Sequence, residues 1–369
     1  MHPSRSTSRI VLLTGATGFV GKVVLAELLR RRHDLGIAHV YVLIRSKRDK
    51  APEARFRDEI AASPLFDGFD FDWTSMVSPV AGDLARQQAG LSESDRDLLQ
   101  GRVTQIVHCA ASVEFDLPIH RAASANITSA LRMLEVAQGC SHLERMVVVS
   151  TAYVTPNRPK QGPVPEQLVE LPFSPEAVYE DILAGRADAE ALMKASGHPN
   201  TYTLTKCLAE HLVWARRGDV PLSIVRPSIV SATLRHPFPG WLDSPAAYAG
   251  FVKLMGSGQM RVLVGDPKVG LDVVPCDVVA DCILDEMIQE DAATRIRHAT
   301  VGPERTISVR MTVDGITAFF SKHPVDRRPR VYWVGSPGLV TNAFDRLFHA
   351  FPARLKADAL QRKGWADLA

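Results

Sequence analysis

Two patterns of apolar and polar positions alternate through the first 150 residues. Runs at residues 10–13, 40–44, 77–81, 104–108 and 146–150 are short and rich in Val and Ile, and read as buried strands. Between them, residues 20–32 and 120–138 place apolar side chains at helical spacing. The first of these helices ends in Arg30, Arg31 and Arg32, where a helix C-terminus favours cations. Strands alternating with helices predict an α/β fold, a doubly wound parallel Rossmann sheet.

The pattern changes after Thr151. Prolines at 156, 159, 163, 165, 172 and 175 mark an irregular stretch. A polar helical segment over 175–195 follows, then a stronger helix over 201–217 and a strand over 222–226. Pro237, Pro239, Gly240 and Pro245 mark a second excursion, and residues 277–289 return to a helical stripe. Beyond about residue 300 the pattern weakens, and the stretch after Pro337 is basic and amphipathic. The expected organisation is one dinucleotide-binding domain over 1–300, with substrate-site insertions at about 156–200 and 228–272. Residues 301–369 then form a C-terminal appendage.

Composition narrows the classes. Lys and Arg number 43 against 41 Asp and Glu, so the basic excess of a nucleic-acid binder is missing. Hydrophobic residues at 46% and charged residues at 23% fit a folded chain. The five cysteines form no CxxC pair and no zinc-spaced cluster, so no metal is expected and a reducing, cytoplasmic setting fits. The first apolar run is four residues long, short of a signal peptide or a membrane span. The chain reads as soluble or peripheral. The basic tail with Phe344, Leu347, Phe348 and Phe351 either touches a membrane surface or covers the core as an ordinary amphipathic helix.

Candidate chemistry begins at TGATGFVG, residues 14–21, directly after the first strand. Gly15 allows the tight turn, Gly18 lets backbone N–H groups approach a pyrophosphate, and Gly21 permits close helix–strand packing. The second strand ends in Arg45, Ser46, Lys47 and Arg48 where an NAD site would carry an acid. An Arg there accommodates a 2′-phosphate, which favours NADPH, with Arg45 the bidentate partner and Lys47 adding charge. Asp83 is placed to accept from the adenine amino group, or else to cap its own turn. The small residues after His108, including Ala110, suit a backbone passing close to the cofactor.

Tyr202 and Lys206 lie four apart on one face of a helix. A nearby ammonium lowers a phenol pKa toward the useful range. Thr151, or its neighbour Ser150 on the opposite face, ends the fifth strand at the ligand crevice. Together Thr151, Tyr202 and Lys206 resemble the catalytic group of short-chain dehydrogenases/reductases.

The resemblance narrows further. GATGFVGKVVLAELLR, VYVLIRSK, VHCAASVEFD, VVVSTAYV, NTYTLTKCLAE and RPSIVSATLRHPFPGW resemble a fatty acyl-CoA reductase, related to thioester reductase domains, over about residues 9–300. The resemblance implies that Gly15, Thr17, Gly18, Phe19, Gly21, Arg45, Lys47, Asp83 and Ala110 line the NADPH site. It implies that Lys206 also binds the nicotinamide ribose, that Asn126 is structural, and that Pro227 and Ser228 border the nicotinamide. Phe115, Pro239 and Trp241 would shape an acyl channel, with loop packing the alternative for Trp241. Tyr202 would be the proton donor. The implied substrate is a long-chain acyl-CoA, reduced to aldehyde, alcohol or both. A carrier-protein-bound chain is one alternative donor, and an NAD-dependent sugar-nucleotide epimerase or dehydratase is another reading of the fold. Such reductases often continue into a helical domain, of which residues 339–347 would be the start.

Overall fold

The computed structural model describes residues 8–47, 50–156, 162–244, 247–325 and 328–334. Seven strands form one parallel sheet: β1 (Arg9–Thr14), β2 (Ile37–Ile44), β3 (Val77–Ala81), β4 (Gln105–His108), β5 (Arg145–Val149), β6 (Leu222–Pro227) and β7 (Arg295–Ala299). Their order is 3-2-1-4-5-6-7, the doubly wound arrangement that the alternation predicts. Leu12 pairs with Tyr41 on one side and Ile106 on the other. The order reverses between β1 and β4, and a crevice opens at the C-terminal ends of those two strands.

Helices cover both faces. On one, α1 (Phe19–Arg30) packs against a helix at Cys276–Met287, burying Val23, Val24 and Leu28 with Val279, Ala280 and Ile283. On the other, the core joins Leu12, Ile106 and Ile224 of the sheet to Leu134 of α2 (Ser129–Gly139). It also takes Val178 and Ile182 of α3 (Pro175–Leu183), and Leu204 and Leu208 of a helix at Thr201–Arg216. The inner strands are largely apolar because both their faces are covered.

Three local departures from the expected pattern have physical causes. The helix expected over 120–138 is helical from Ile119 to Gly139, but Ser124–Thr128 forms a π-helical turn within it. The segment expected over 175–195 divides into α3 and α4 (Ala189–Ser196). Gly185 adopts φ +71°, and Asp188 starts the second helix by accepting from the N–H groups of Glu190 and Ala191. Strand β7 had no counterpart in the expected elements. Its sequence RIRHA buries only Ile296 and Ala299, as an edge strand does. The helices at Thr201–Arg216 and Cys276–Met287 are α5 and α6 below.

Residues up to Ser244 and 274–300 form one compact unit, and residues 245–273 with those from 301 onward form another. In the second, Val262–Val264 pairs in parallel with Tyr332–Val334, and Gly270–Leu271 pairs antiparallel with Ile307–Ser308. Met255, Val313 and Ile316, from helices Ala247–Gly256 and Val309–Lys322, are its buried centre. The basic tail after Pro337 lies outside the described residues. Among the described residues no helix is long and apolar enough to cross a membrane, and no group of His, Cys, Asp and Glu is arranged to hold a metal ion.

Candidate active site

The glycine loop links β1 to α1 in the geometry its spacing implies. Gly15 has φ +77°, and a Cβ there would stand 2.7 Å from the backbone nitrogen of Ala110. A Cβ on Gly21 would stand 2.3 Å from the carbonyl oxygen of Gly15. The Gly18 N–H donates to that same oxygen at 2.9 Å. Gly18 is the N-cap of α1 and offers no side chain to the first-turn N–H groups, which suits an incoming anion. Thr17 and Phe19 are half-buried beside it. The ends of β1 and β4 are tied through Thr14: its hydroxyl accepts from the Ala110 N–H at 3.2 Å and meets His108 Nδ1 at 2.9 Å.

The Arg45 and Lys47 side chains are exposed just past β2, and Arg48 lies outside the described residues. Arg55, buried, holds this turn: one guanidinium nitrogen donates to the Arg45 carbonyl at 2.8 Å, and two bonds of 2.8 and 2.7 Å join it to Glu59. Asp83 caps its own turn, accepting from the Ala85 N–H at 3.1 Å and pairing with Arg86.

The reacting group is assembled from β5, β6 and α5. Asn200 caps α5 by accepting from the Thr203 N–H at 2.9 Å, and the Thr201 hydroxyl donates to the Leu117 carbonyl at 2.8 Å. Asn126, in the π-helical turn, accepts from the Ser112 N–H at 2.9 Å and donates to Thr205 at 3.0 Å. Single π-helical turns recur at functional sites. Here the turn ties the loop after β4 to the helix carrying Tyr202 and Lys206. Lys206 is buried, its ammonium donating to the Val149 carbonyl at 2.7 Å, at the end of β5. Tyr202 lies beside the Thr151 hydroxyl, and its ring is 5.7 Å from that of Phe115. Of the two hydroxyls ending β5, Thr151 is the one beside Tyr202. The Ser150 hydroxyl is buried with no hydrogen-bond partner among the described residues. Pro227 ends β6, and its carbonyl accepts from Thr151 at 3.5 Å, while the Ser228 N–H donates to Ala299.

The electrostatics differ from the simple expectation. Burial pushes the Tyr202 phenol up to about 12, opposed by the Thr151 hydrogen bond, with no lowering by Lys206. Burial pushes Lys206 down to about 8, against the attraction of Glu210 and Cys109. Without ligands, Lys206 is therefore the more acidic of the pair, because its ammonium bonds a carbonyl rather than the phenol. His108 is driven down to about 3 by burial and then by Lys206, so it is neutral. The Cys207 thiol, packed with Val154 and Val169, is pushed up by burial and is no nucleophile.

Glu210 and Arg226 form a buried pair, with bonds of 2.9 and 2.5 Å, that locks α5 to β6. The only sequence signal for it was Glu210 one helical turn beyond Lys206. Trp241 is buried against Phe19, with ring centroids 5.7 Å apart. Pro239 belongs to the same loop.

The geometry suits a dinucleotide. The loop is filled to the point where a Cβ would clash, the first turn of α1 is uncapped, and two cations stand beyond β2. When bound, such a group supplies or accepts a hydride. Thr151 and Tyr202 place two hydroxyls near one another, an arrangement that could stabilise an oxyanion.

The chain is similar to known proteins. A family model described as "Male sterility protein" matches residues 13–283. The chain is 31% identical over 365 residues to a Drosophila melanogaster protein provisionally named a fatty acyl-CoA reductase, covering 93% of this chain and 64% of that one. It is 30% identical to fatty acyl-CoA reductase 1 of Gallus gallus, covering 96% and 73%. It thus spans about two thirds of the length of these relatives. Among solved structures, the terminal R domain of the myxalamid biosynthetic pathway superposes with a TM-score of 0.65 at 25% identity, covering 88% of this chain and 71% of that one. The reductase domain of PhqB from Penicillium fellutanum, at 19% identity and a TM-score of 0.61, covers 97% and 83% and shares the fold.

Proposed function

We propose, from the premise that the chain belongs to the male sterility family of NAD-binding domains shared with fatty acyl-CoA reductases, that it reduces a long-chain acyl-CoA thioester with NADPH. The observation that carries this reading is the convergence of three side chains: Lys206 is anchored at the end of β5 by its 2.7 Å bond to the Val149 carbonyl, Tyr202 lies one helical turn before it, and Thr151 follows β5 beside Tyr202. The thioester carbonyl oxygen accepts from Thr151 and Tyr202. As hydride reaches the carbonyl carbon, these donors stabilise the charge growing on oxygen. The hemithioacetal then expels the CoA thiol and leaves an aldehyde. A second reduction at the same residues gives the alcohol. Arg45 and Lys47 are the residues toward the 2′-phosphate, and their exposed cations favour NADPH over NADH.

The test is Tyr202→Phe, assayed by acyl-CoA-dependent NADPH oxidation and by thiol release. The expected loss is about 100-fold or more, with NADPH affinity retained. A variant that turns over at the wild-type rate refutes the assignment. The likeness to the myxalamid R domain supports a second reading, a carrier-protein-bound acyl donor. Rates with free acyl-CoA and with the same chain on a carrier protein separate the two.

A further inference from the structure

Gly18 caps α1 without a side chain and Gly21 contributes none to its first turn, so Phe19 and Lys22 carry the contacts that brace it. That bracing comes from residues 232–243. The segment is closed on itself: Thr233 N–H donates to the Trp241 carbonyl at 3.0 Å, and Gly240 N–H to the Thr233 carbonyl at 2.8 Å. Its start is held by the buried carboxylate of Asp277, at the beginning of α6, which accepts from the Leu234 and Arg235 N–H groups at 2.8 Å each. Its far end rests on α1. Trp241, 6% exposed, lies on Phe19, the first residue of that helix, and Asp243 forms an ion pair with Lys22.

Lys22 is an unusual residue for its position. Its side chain is 8% exposed, one turn into a helix whose N-terminus already carries positive potential. A buried ammonium there is disfavoured by both burial and the helix, and the Asp243 carboxylate offsets both. Tilting this turn would drive Gly21 into the Gly15 carbonyl, because the space between them admits no extra atom. The ion pair and the ring contact therefore bear on the same turn that shapes the glycine loop.

We propose that residues 232–243 form a strap, and that Asp243 and Trp241 are positioning residues for the dinucleotide, acting through Lys22 and Phe19 on the glycine loop. This rests on the reading that the loop holds NADPH. The strap touches none of the reacting atoms. It fixes the direction of the first-turn N–H groups that would meet the pyrophosphate.

The experiment titrates NADPH into the wild type, Asp243→Asn, Lys22→Met and the double variant. It also measures acrylamide quenching of Trp241 without dinucleotide, as the difference from Trp241→Phe in each background. Asp243→Asn is expected to raise the Kd by about tenfold. The double variant is expected to bind no more weakly than the weaker single, since the two residues act as one unit. Trp241 is expected to become open to acrylamide in Asp243→Asn. Should that variant fail to fold, Trp241→Leu carries the same titration. A folded Asp243→Asn with wild-type Kd, additive effects in the double variant, or a Trp241 still shielded overturns the strap. A wild type that binds neither NADPH nor NADH overturns the dinucleotide reading and the positioning role with it. A wild type that binds while Asp243→Asn is indifferent overturns the strap alone.

Discussion

Replacing Lys206 by Met should abolish turnover yet leave a protein whose stability relative to wild type depends steeply on pH. Burial lowers Lys206 from 10.5 to about 8, so the folded protein holds a charge it disfavours. That difference corresponds to about 3 kcal/mol between folded and unfolded states. The sign follows from proton counts. Between about pH 8 and 10.5 the unfolded chain binds the Lys206 proton and the folded chain has lost it, so the lysine's penalty shrinks as pH rises. Below that window the penalty is present in full. Met fills the same channel without charge but loses the bond to the Val149 carbonyl, worth about 1–3 kcal/mol. That loss does not vary with pH, so it shifts the whole curve without bending it. Urea unfolding of both proteins at pH 7 to 10, without dinucleotide, measures the difference. The stability of Lys206→Met minus that of wild type should fall by about 2–3 kcal/mol across the range, most of it above pH 8. A difference that stays flat across the range would refute the buried-cation account of this site.

Other perturbations follow from the same geometry. Arg45→Ala should weaken NADPH binding by about 2 kcal/mol, roughly 30-fold, while leaving NADH binding little changed. Equilibrium titration with both dinucleotides measures this, and an equal loss for the two would place the 2′-phosphate elsewhere. Glu210→Gln strands the buried Arg226 guanidinium and should destabilise the fold by about 3–5 kcal/mol. Glu210→Met with Arg226→Met should recover most of that loss in thermal unfolding, since the pair vanishes as a unit. Leu208→Ala, in the core between α5 and the sheet, should cost about 2–5 kcal/mol with the NADPH Kd unchanged.

The sheet was legible because its inner strands are buried on both faces, which writes continuous apolar runs such as VYVLI at 40–44 into the chain. Edge strand β7 escaped for the opposite reason: three of its five residues, Arg295, Arg297 and His298, are polar. The second compact unit was hidden by discontinuity, since residues 274–300, which include α6 and β7, separate its two pieces. At the site, Gly15, Gly21, Thr151, Tyr202 and Lys206 stand out because turn geometry and helical spacing constrain residue type. The partners that hold them do not announce themselves. Arg55, Asn126 and Asp243 act on positions about 10, 80 and 220 residues away, through contacts only the folded chain creates. Asp83, whose position offers either an adenine contact or a cap, accepts from the Ala85 N–H of its own turn.

Burial raises Tyr202 and lowers Lys206, so in the ligand-free site each is shifted toward its neutral form. The same desolvation that penalises these charges strengthens their interaction with any charge brought between them. An oxyanion growing on a substrate held by Thr151 and Tyr202 would favour the Lys206 ammonium and draw the Tyr202 proton toward itself. The site thus gains most at the point where charge develops, and little when a neutral carbonyl binds, which is the differential that accelerates a reaction. Exposed cations such as Arg45 and Lys47 gain little from low dielectric, and on the proposed reading would select the ligand rather than drive the step. The net charge of +2 reports neither contribution, because the charges that matter are a few local ones set apart by their burial.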